Sequence, residues 1–328
     1  MRALVMSGPA DGPERSTVET LPDPRPGPGQ VSIEVAHAGL NFLDVMARRG
    51  DRGYVREWPF VPGLEVAGTI REIGGGVVGL QPGQRVAAFT GGGGLAEIAV
   101  AEADLTVALP DGVSTRSAAI APLLLTSAWL LITEVARVQP GDVVLMHSAA
   151  GGIGAAVAQL LPIVEAVPEI GTVGRAEKVE QARAAGWKTV LARASVTADE
   201  VLAAAGGRVD VVLDPLGTSM VELDVAVAAP GGRIALFGNP SGGVPAPLPG
   251  LGSLIGGNIA FAGFSISRLS VAAPDRVATA LRHVLGLLAE GRITTATQDV
   301  DGLDDVPAAH QRLADGDATG KYVVRVAG

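Results

Sequence analysis

The stretch VVLMHSAAGGIGAAVAQLL, residues 143–161, changes character halfway. An apolar run gives way to Ala149, Ala150, Gly151, Gly152, Ile153 and Gly154, and then to an alanine-rich segment suited to helix. Small residues between a strand and a helix let the N–H groups of the helix N-terminus hold a phosphate. Gly151 permits close approach of the backbone, and Gly154 lets the helix pack near the strand. Ala149 stands where the usual Gly-x-Gly-x-x-Gly has its first glycine, which is tolerable if its φ is negative. The chemistry these residues could serve is dinucleotide binding. The alternative is a packing turn in a chain with 45 glycines.

Charge beyond this turn bears on which dinucleotide would be held. A free ribose 2′-hydroxyl calls for a carboxylate at the tip of the second strand. That strand reads EIGTVG and ends at Gly174 with no acid at its tip. Arg175 and Lys178 follow it, and Arg193 lies just past the third strand. Guanidinium and ammonium groups suit a 2′-phosphate, so NADPH is the expected cofactor. The competing reading makes Arg175 and Lys178 an ordinary solvated helix start.

Other reactive groups are few. The chain has no cysteine, which excludes disulfides, Cys-ligated zinc and a thiolate nucleophile. His147 ends the first strand of the series and reads as buried and structural. His37, His283 and His310 have no metal or triad pattern around them, and the acidic run 299–305 reads as solvated surface. No metal is expected.

The elements that must position these groups follow two rhythms. The first hundred residues are β-rich: QVSIEVAHAG (30–39) alternates apolar and polar, and LEVAGTIREIG (64–74) and QRVAAFT (84–90) are further strands. Residues 111–135 read as one helix opened by a Ser or Thr cap. From about residue 140, DVVLMH, EIGTVG, TVLA, VDVVLD and RIALFG alternate with helical segments. Five apolar strands spaced by helices mean an α/β fold with a doubly wound parallel sheet. An amphipathic helix spans 275–293, and GKYVVRVAG closes the chain as a strand. Pro168, in the approach to the second strand, is unusual there, and the sequence gives no account of it.

Net charge is −9, which argues against nucleic acid as a partner. The best membrane candidate, Ala118 to Ile132, is broken by Pro122, Thr126 and Ser127 and falls short of about 20 apolar residues. The N-terminus MRALVMSGPADG lacks the apolar core of a signal peptide. The chain is expected to be soluble and cytoplasmic, with no membrane partner.

A resemblance runs nearly end to end. AGLNFLDVMARRG (38–50), PFVPGLEVAGTIREIG (59–74), GGLAEIAV (93–100), HSAAGGIG (147–154), GTVGRAEK (171–178) and GKYVV (320–324) are similar to motifs of one group. It is the zinc-free quinone oxidoreductases, the zeta-crystallin-like group of the medium-chain dehydrogenase/reductase superfamily. LDPLG (213–217) resembles the vesicle-amine-transport-like branch. The resemblance implies a GroES-like β-rich catalytic domain with its N-terminal part at 1–120. It implies a Rossmann NADPH-binding domain at 121–262 and a return to the catalytic domain at 263–328. Zinc-dependent relatives use a Gly-His-Glu histidine, and that position is Leu64 here. Without it and without cysteine, alcohol oxidation by the zinc mechanism is excluded. The implied activity is hydride transfer from NADPH to a quinone. Close alternatives are C=C reduction of an enone, an enal or a polyketide-type enoyl intermediate, or a non-enzymatic NADPH-binding role. A homodimer is implied as well.

The resemblance also implies site residues. Asn41 and Asp44 lie near the nicotinamide and substrate, although Asn41 also reads as a turn residue after a strand. Thr126 lines the nicotinamide pocket, or else bonds its own helix backbone. Phe237, Gly238 and Asn239 end the last Rossmann strand, where the carboxamide is held, and Phe264 with the rest of FSIS edges the same pocket. Many relatives have a tyrosine where Arg52 stands. Tyr54 is the nearest one and could donate a proton, or could be an exposed loop residue packing on REWPF. Arg175 and Arg193 replace a usual serine and tyrosine, and both changes add positive charge at the expected phosphate.

Overall fold

The computed structural model describes residues 1–326 apart from Arg52, Arg56, 243–246, Thr295 and Thr319, and the side chain of Thr218. Two compact units result: Met1–Thr126 with Ile266–Gly328, and Ser127–Ser265.

The first unit begins with β1 (Arg2–Met6) and β2 (Ser16–Thr20), an antiparallel pair. β3 (Gln30–Gly39), α1 (Phe42–Arg49), β4 (Glu65–Ile73), β5 (Arg85–Phe89), β6 (Ile98–Glu102), β7 (Thr106–Ala108) and α2 (Thr115–Ala118) follow. α3 (Thr126–Leu130) opens at the boundary between the units. The continuous helix expected over 111–135 is in fact broken. Ser114 caps α2 by accepting the Ser117 N–H at 3.1 Å, but residues 121–125 and 131–135 form π turns. Pro122 has no N–H to give. The next two, of Leu123 and Leu124, go to the Glu65 carboxylate at 2.8 and 3.2 Å instead of to helix carbonyls. A side chain on β4 therefore sets the interruption.

The second unit holds β8 (Val143–His147), α4 (Gly152–Leu160), β9 (Val167–Val173), α5 (Val179–Ala184), β10 (Thr189–Ala192), α6 (Ala198–Ala204), β11 (Val209–Asp214), α7 (Val221–Val227), β12 (Ala228–Leu236), α8 (Leu251–Gly257) and β13 (Ala260–Gly263). All its pairings are parallel, in the order β10-β9-β8-β11-β12-β13. This is a doubly wound sheet with its reversal between β8 and β11. Leu145, Ile170, Val201, Val212 and Ile234 meet in its core. Thr197 and Glu200 cap α6 reciprocally, with the Thr197 N–H on Glu200 at 2.9 Å. Pro168 acquires a reason here. Val143 pairs with Val167 and Leu145 with Ile170, so one extra residue bulges out of β9 where proline cannot donate. β13 is a sixth strand that the alternating pattern does not announce, because it is four small or half-buried residues at the sheet edge.

The chain returns to the first unit for α9 (Ile266–Ala272), α10 (Pro274–Ala289), β14 (Thr297–Val300), α11 (Val306–Ala314) and β15 (Lys321–Arg325). Proline opens α10, and Val277, Leu281, Val284 and Leu285 bury one face. It stops at Ala289, short of the expected 293, because Gly291 takes a left-handed φ of 66°. Strand order in this sheet is β14-β15-β3-β4-β5-β7, with β6 also paired to β3. Leu4, Ile33, Leu40, Ile70, Leu95 and Val324 are buried in its core. Among the described residues, no helix is long and apolar enough to cross a membrane.

Candidate functional site

The turn after β8 is shaped by three close contacts. Left-handed backbone falls on Ser148, with φ 58°, and not on Ala149. Ala149 N–H donates to Thr172 O at 2.9 Å, which ties the turn to β9. A Cβ on Gly154 would lie 2.5 Å from Ala149 O and 2.7 Å from its carbonyl carbon, so only glycine lets α4 start this close. A Cβ on Gly171 of β9 would lie 2.5 Å from the Ala149 methyl and 3.2 Å from the Trp187 ring. The missing side chain at 171 thus makes room for the extra one at 149. Trp187 Nε1–H donates to Gly154 O at 3.2 Å beneath them.

Gly151 precedes α4 with φ −75° and ψ 171° and has no side chain to cap it. The N–H groups of Gly152, Ile153 and Gly154 form the helix's first turn, where intrahelical acceptors are lacking. Ala150 is buried, and its carbonyl accepts from Gln181 Nε2 at 3.2 Å. A bare, glycine-lined helix end of this kind fits a pyrophosphate.

At the tip of β9, a Cβ on Gly174 would come within 2.8 Å of Arg193 Nη2. Arg193 Nη1 reaches Ser148 Oγ at 3.4 Å, so the guanidinium lies across the tip toward the turn. Burial draws its pKa down and Asp214 opposes this. Arg175 is exposed, 3.9 Å from Glu177, and Lys178 opens α5 half-buried. Phe237 N–H bonds Asp214 O at 3.0 Å, and Phe264 N–H bonds Leu236 O at 2.9 Å. Gly238 sits where a Cβ would run into Pro215 O, and Asn239 Oδ1 accepts from Ser241 at 2.9 Å. These four residues lie at the C-terminal ends of β12 and β13.

Beneath the turn runs a wholly buried polar chain. His147 Nδ1 meets Thr172 Oγ1 at 2.8 Å, and its Nε2 meets Asp224 Oδ1 at 2.8 Å. Asp214 Oδ1 accepts the Leu216 N–H at 2.6 Å. Burial pushes His147 down to about 4 and both carboxyls up to about 7, with Asp224 adding to the rise at Asp214. The structural role expected of His147 fits its place here.

In the first unit Asn41 and Asp44 are both buried at the start of α1. Asn41 Nδ2 donates to Gly39 O at 3.2 Å and to Glu65 Oε1 at 3.0 Å, and its Oδ1 accepts from Lys321. Lys321 Nζ is also 2.6 Å from Glu65 Oε1. Asp44 Oδ2 accepts the Asn41 N–H at 2.8 Å, and its Oδ1 accepts the Gly63 N–H at 3.2 Å. Burial raises Asp44 to about 6 against these bonds. His310, held down to about 3 by burial, lies 3.8 Å away. Thr126 is buried and donates to Ala121 O at 2.8 Å, the helix-bound arrangement. Tyr54 is 41% exposed, and Arg52 lies outside the described residues.

Sequence reasoning passed over Glu65, Lys321, Asp214 and Asp224. The available signal was a charged residue inside an apolar run: Glu65 in GLEVAG, Asp214 ending VDVVLD, Asp224 in VELDVAV. Among the described residues no group of three or more His, Asp or Glu forms a metal site.

Comparison with known proteins places these features. The alcohol dehydrogenase GroES-like domain matches residues 27–111, and the zinc-binding dehydrogenase family matches residues 177–324. The human synaptic vesicle membrane protein VAT-1 homolog-like is 37% identical over 172 residues, 52% of this chain and 41% of that protein. The match therefore spans less than half of that curated relative. A phenolphthiocerol/phthiocerol polyketide synthase protein of Mycobacterium tuberculosis is 34% identical over 307 residues, 92% of this chain and 14% of that protein. A mycobacterial quinone oxidoreductase structure is 31% identical, covers 99% of both chains and has a TM-score of 0.86. The Escherichia coli quinone oxidoreductase complexed with NADPH is 25% identical over 99% of this chain and 100% of that one, with a TM-score of 0.89. With both domain types in place and full-length similarity to these structures, the chain belongs to the quinone oxidoreductase group of the medium-chain dehydrogenase/reductase superfamily.

Proposed function

We propose that the chain is an NADPH-dependent reductase that delivers hydride to a quinone without a metal. The observation that carries this reading is the tip of β9. It has no carboxylate, and Arg193 is stretched across Gly174 toward the dinucleotide turn. The first turn of α4 would hold the pyrophosphate, and Arg193, Arg175 and Lys178 the 2′-phosphate. Phe237, Gly238, Asn239 and Phe264 would seat the nicotinamide, whose bound form supplies the hydride. Quinone takes up that hydride and one proton to give the hydroquinone.

Asn41 has both amide hydrogens engaged by Gly39 and Glu65 and its Oδ1 held by Lys321, so it would serve the reaction through the one lone pair left on Oδ1 rather than as a donor. Asp44, with its oxygens on two backbone N–H groups, would hold α1 in place. Thr126 would shape the pocket wall through its backbone bond. Of the two tyrosines, Tyr322 is buried in the core of the first unit and Tyr54 is 41% exposed, so Tyr54 is the proton donor we assign. Similarity to the polyketide synthase protein over 92% of this chain supports a second reading, reduction of an enone or enoyl C=C bond by the same hydride. Cytoplasmic location and a homodimer complete the proposal; light scattering of the purified protein tests the latter.

Fluorescence titration with NADPH and NADH tests the cofactor, using the parent and the Arg193→Ala, Arg175→Ala and Lys178→Ala variants. The parent should prefer NADPH, and loss of a charged phosphate contact should weaken it about 10- to 100-fold in Arg193→Ala while leaving NADH unchanged. Equal binding of both cofactors sinks the assignment. A panel of quinones and enones then separates the two substrates. Tight NADPH binding without turnover on any of them would make the chain a dinucleotide-binding protein.

A further inference from the structure

The polar chain under the dinucleotide turn has a proton count that its geometry sets. Four side chains take part, from four elements: Thr172 on β9, His147 on β8, Asp224 on α7 and Asp214 ending β11. All four are 0% exposed, so water cannot complete their hydrogen bonds from outside. Thr172 and Asp224 occupy the two nitrogens of His147. Leu216 and Gly217 N–H groups face Asp214, and the Asp224 carboxyl is within hydrogen-bonding reach of the Asp214 carboxyl. Arg193 is the cation facing the group from beyond β10, acting on both His147 and Asp214.

As two carboxylates, the pair would leave one oxygen each, Asp214 Oδ2 and Asp224 Oδ2, buried without a donor. Two like charges side by side in a dry core would add repulsion to that cost. One proton placed between the two carboxyls supplies a donor that the pair otherwise lacks and removes one of the two like charges. His147 then donates from Nε2 to Asp224 and accepts the Thr172 hydroxyl at Nδ1. A second proton would leave one hydroxyl with no acceptor, and none would leave two oxygens bare.

We infer that Asp214 and Asp224 share one buried proton, and that its loss as pH rises weakens the hold of the second unit on the dinucleotide. Both acids are tied to that hold. His147 immediately precedes Ser148, the left-handed residue that turns the chain toward α4. Asp214 heads the loop whose Pro215 carbonyl is packed on Gly238. Deprotonation puts a second negative charge under a site that takes polyanionic phosphates, and it strips the strand ends of a cross-link. Both effects have the same sign. The dinucleotide arm rests on the proposed NADPH binding; the proton itself does not.

Two measurements test it. NADPH is titrated from pH 7 to 9, where its 2′-phosphate no longer changes charge, against the parent and Asp224→Asn. The asparagine keeps a donor for Asp214 and an acceptor for His147 while removing the second acid of the pair, and its amide favours the ionised form of Asp214. One linked proton predicts Kd rising by up to about tenfold per pH unit in the parent, and a flat profile in the variant. A flat parent profile with tight binding, or a slope retained in Asp224→Asn, overturns the coupling. Infrared spectra of the cofactor-free protein provide the second readout. A carboxylic-acid carbonyl band at neutral pH that disappears both at high pH and in Asp214→Asn or Asp224→Asn supports the shared proton, and no such band overturns it. Absence of NADPH binding at every pH would instead sink the cofactor reading, with the infrared result still deciding the proton.

Discussion

Each unit buries a cluster of charged side chains, and the two clusters solve the same problem differently. In the first unit Glu65 faces Lys321. The carboxylate takes bonds from Asn41, Lys321, Leu123 and Leu124, so no lone pair lacks a donor. In the second unit two acids face one neutral histidine, and an oxygen of each acid has no donor among the surrounding groups. Opposite charges with full pairing make a fixed joint that holds β4, β15, the start of α1 and the turn before α3. Like charges with incomplete pairing make a joint whose charge depends on a proton. What separates a rigid buried cluster from a titratable one is thus the count of donors against acceptors, since burial is nearly the same in both.

The largest effect should come from unbalancing the first cluster. Lys321→Met strands Glu65 without its counter-charge and should cost about 3–5 kcal/mol in urea unfolding. The Glu65→Leu/Lys321→Met pair should recover much of that, because no bare charge remains. Asp224→Asn in the second cluster should cost only about 1 kcal/mol near neutrality, since both of its contacts can be kept. Equal costs for Lys321→Met and Asp224→Asn would break the comparison.

Acid should separate the clusters next. The carboxyl pair, raised to about 7, keeps in the folded chain a proton that the unfolded chain releases above about pH 4. Its contribution to stability therefore falls as pH rises from 4 to 7. His147, lowered to about 4, stays neutral while the unfolded histidine protonates below about pH 6.5, so its contribution is lost as pH falls from 6.5 to 4. The slopes oppose each other in the parent. Asp224→Asn removes one of them, and thermal unfolding should then show stability dropping by about 3 kcal/mol on acidification from pH 6.5 to 4. An unchanged acid profile would mean that the proton is not held on this pair.

Much of the architecture is written locally and was therefore legible. The strand-and-helix rhythm after residue 140 and the glycine turn at 151–154 both depend on neighbours in sequence. What could not be read depends on distant partners. The break in the helix expected over 111–135 is made by Glu65, a residue on another strand. The tolerance of Ala149 depends on Gly171 and Trp187, and the use of Pro168 depends on a bulge against β8. Around the candidate site, the resemblance points to positions 41 and 44 and the charge at 193 stands out in the sequence, but their partners do not. That Asn41 has no amide hydrogen to offer, or that Arg193 spans Gly174, follows only from packing.

Two smaller substitutions sharpen the contrast at the dinucleotide turn, directly above the second cluster. Gly154→Ala puts a methyl 2.5 Å from Ala149 O, where backbone and not a flexible side chain must move. Overpacking of this kind costs about 1–3 kcal/mol, and NADPH binding should weaken with it because α4 is pushed off the strand. Ala149→Gly is the gentler reverse. The left-handed residue is Ser148, so glycine at 149 supplies no conformation that the turn needs and only enlarges the entropy lost on folding. The methyl over Gly171 and Trp187 also disappears. A loss of about 1 kcal/mol in thermal unfolding, with NADPH affinity unchanged, is the expected outcome. Tighter NADPH binding in Ala149→Gly would show instead that the methyl stands in the way of the pyrophosphate, and that Gly171 accommodates it at the expense of the cofactor.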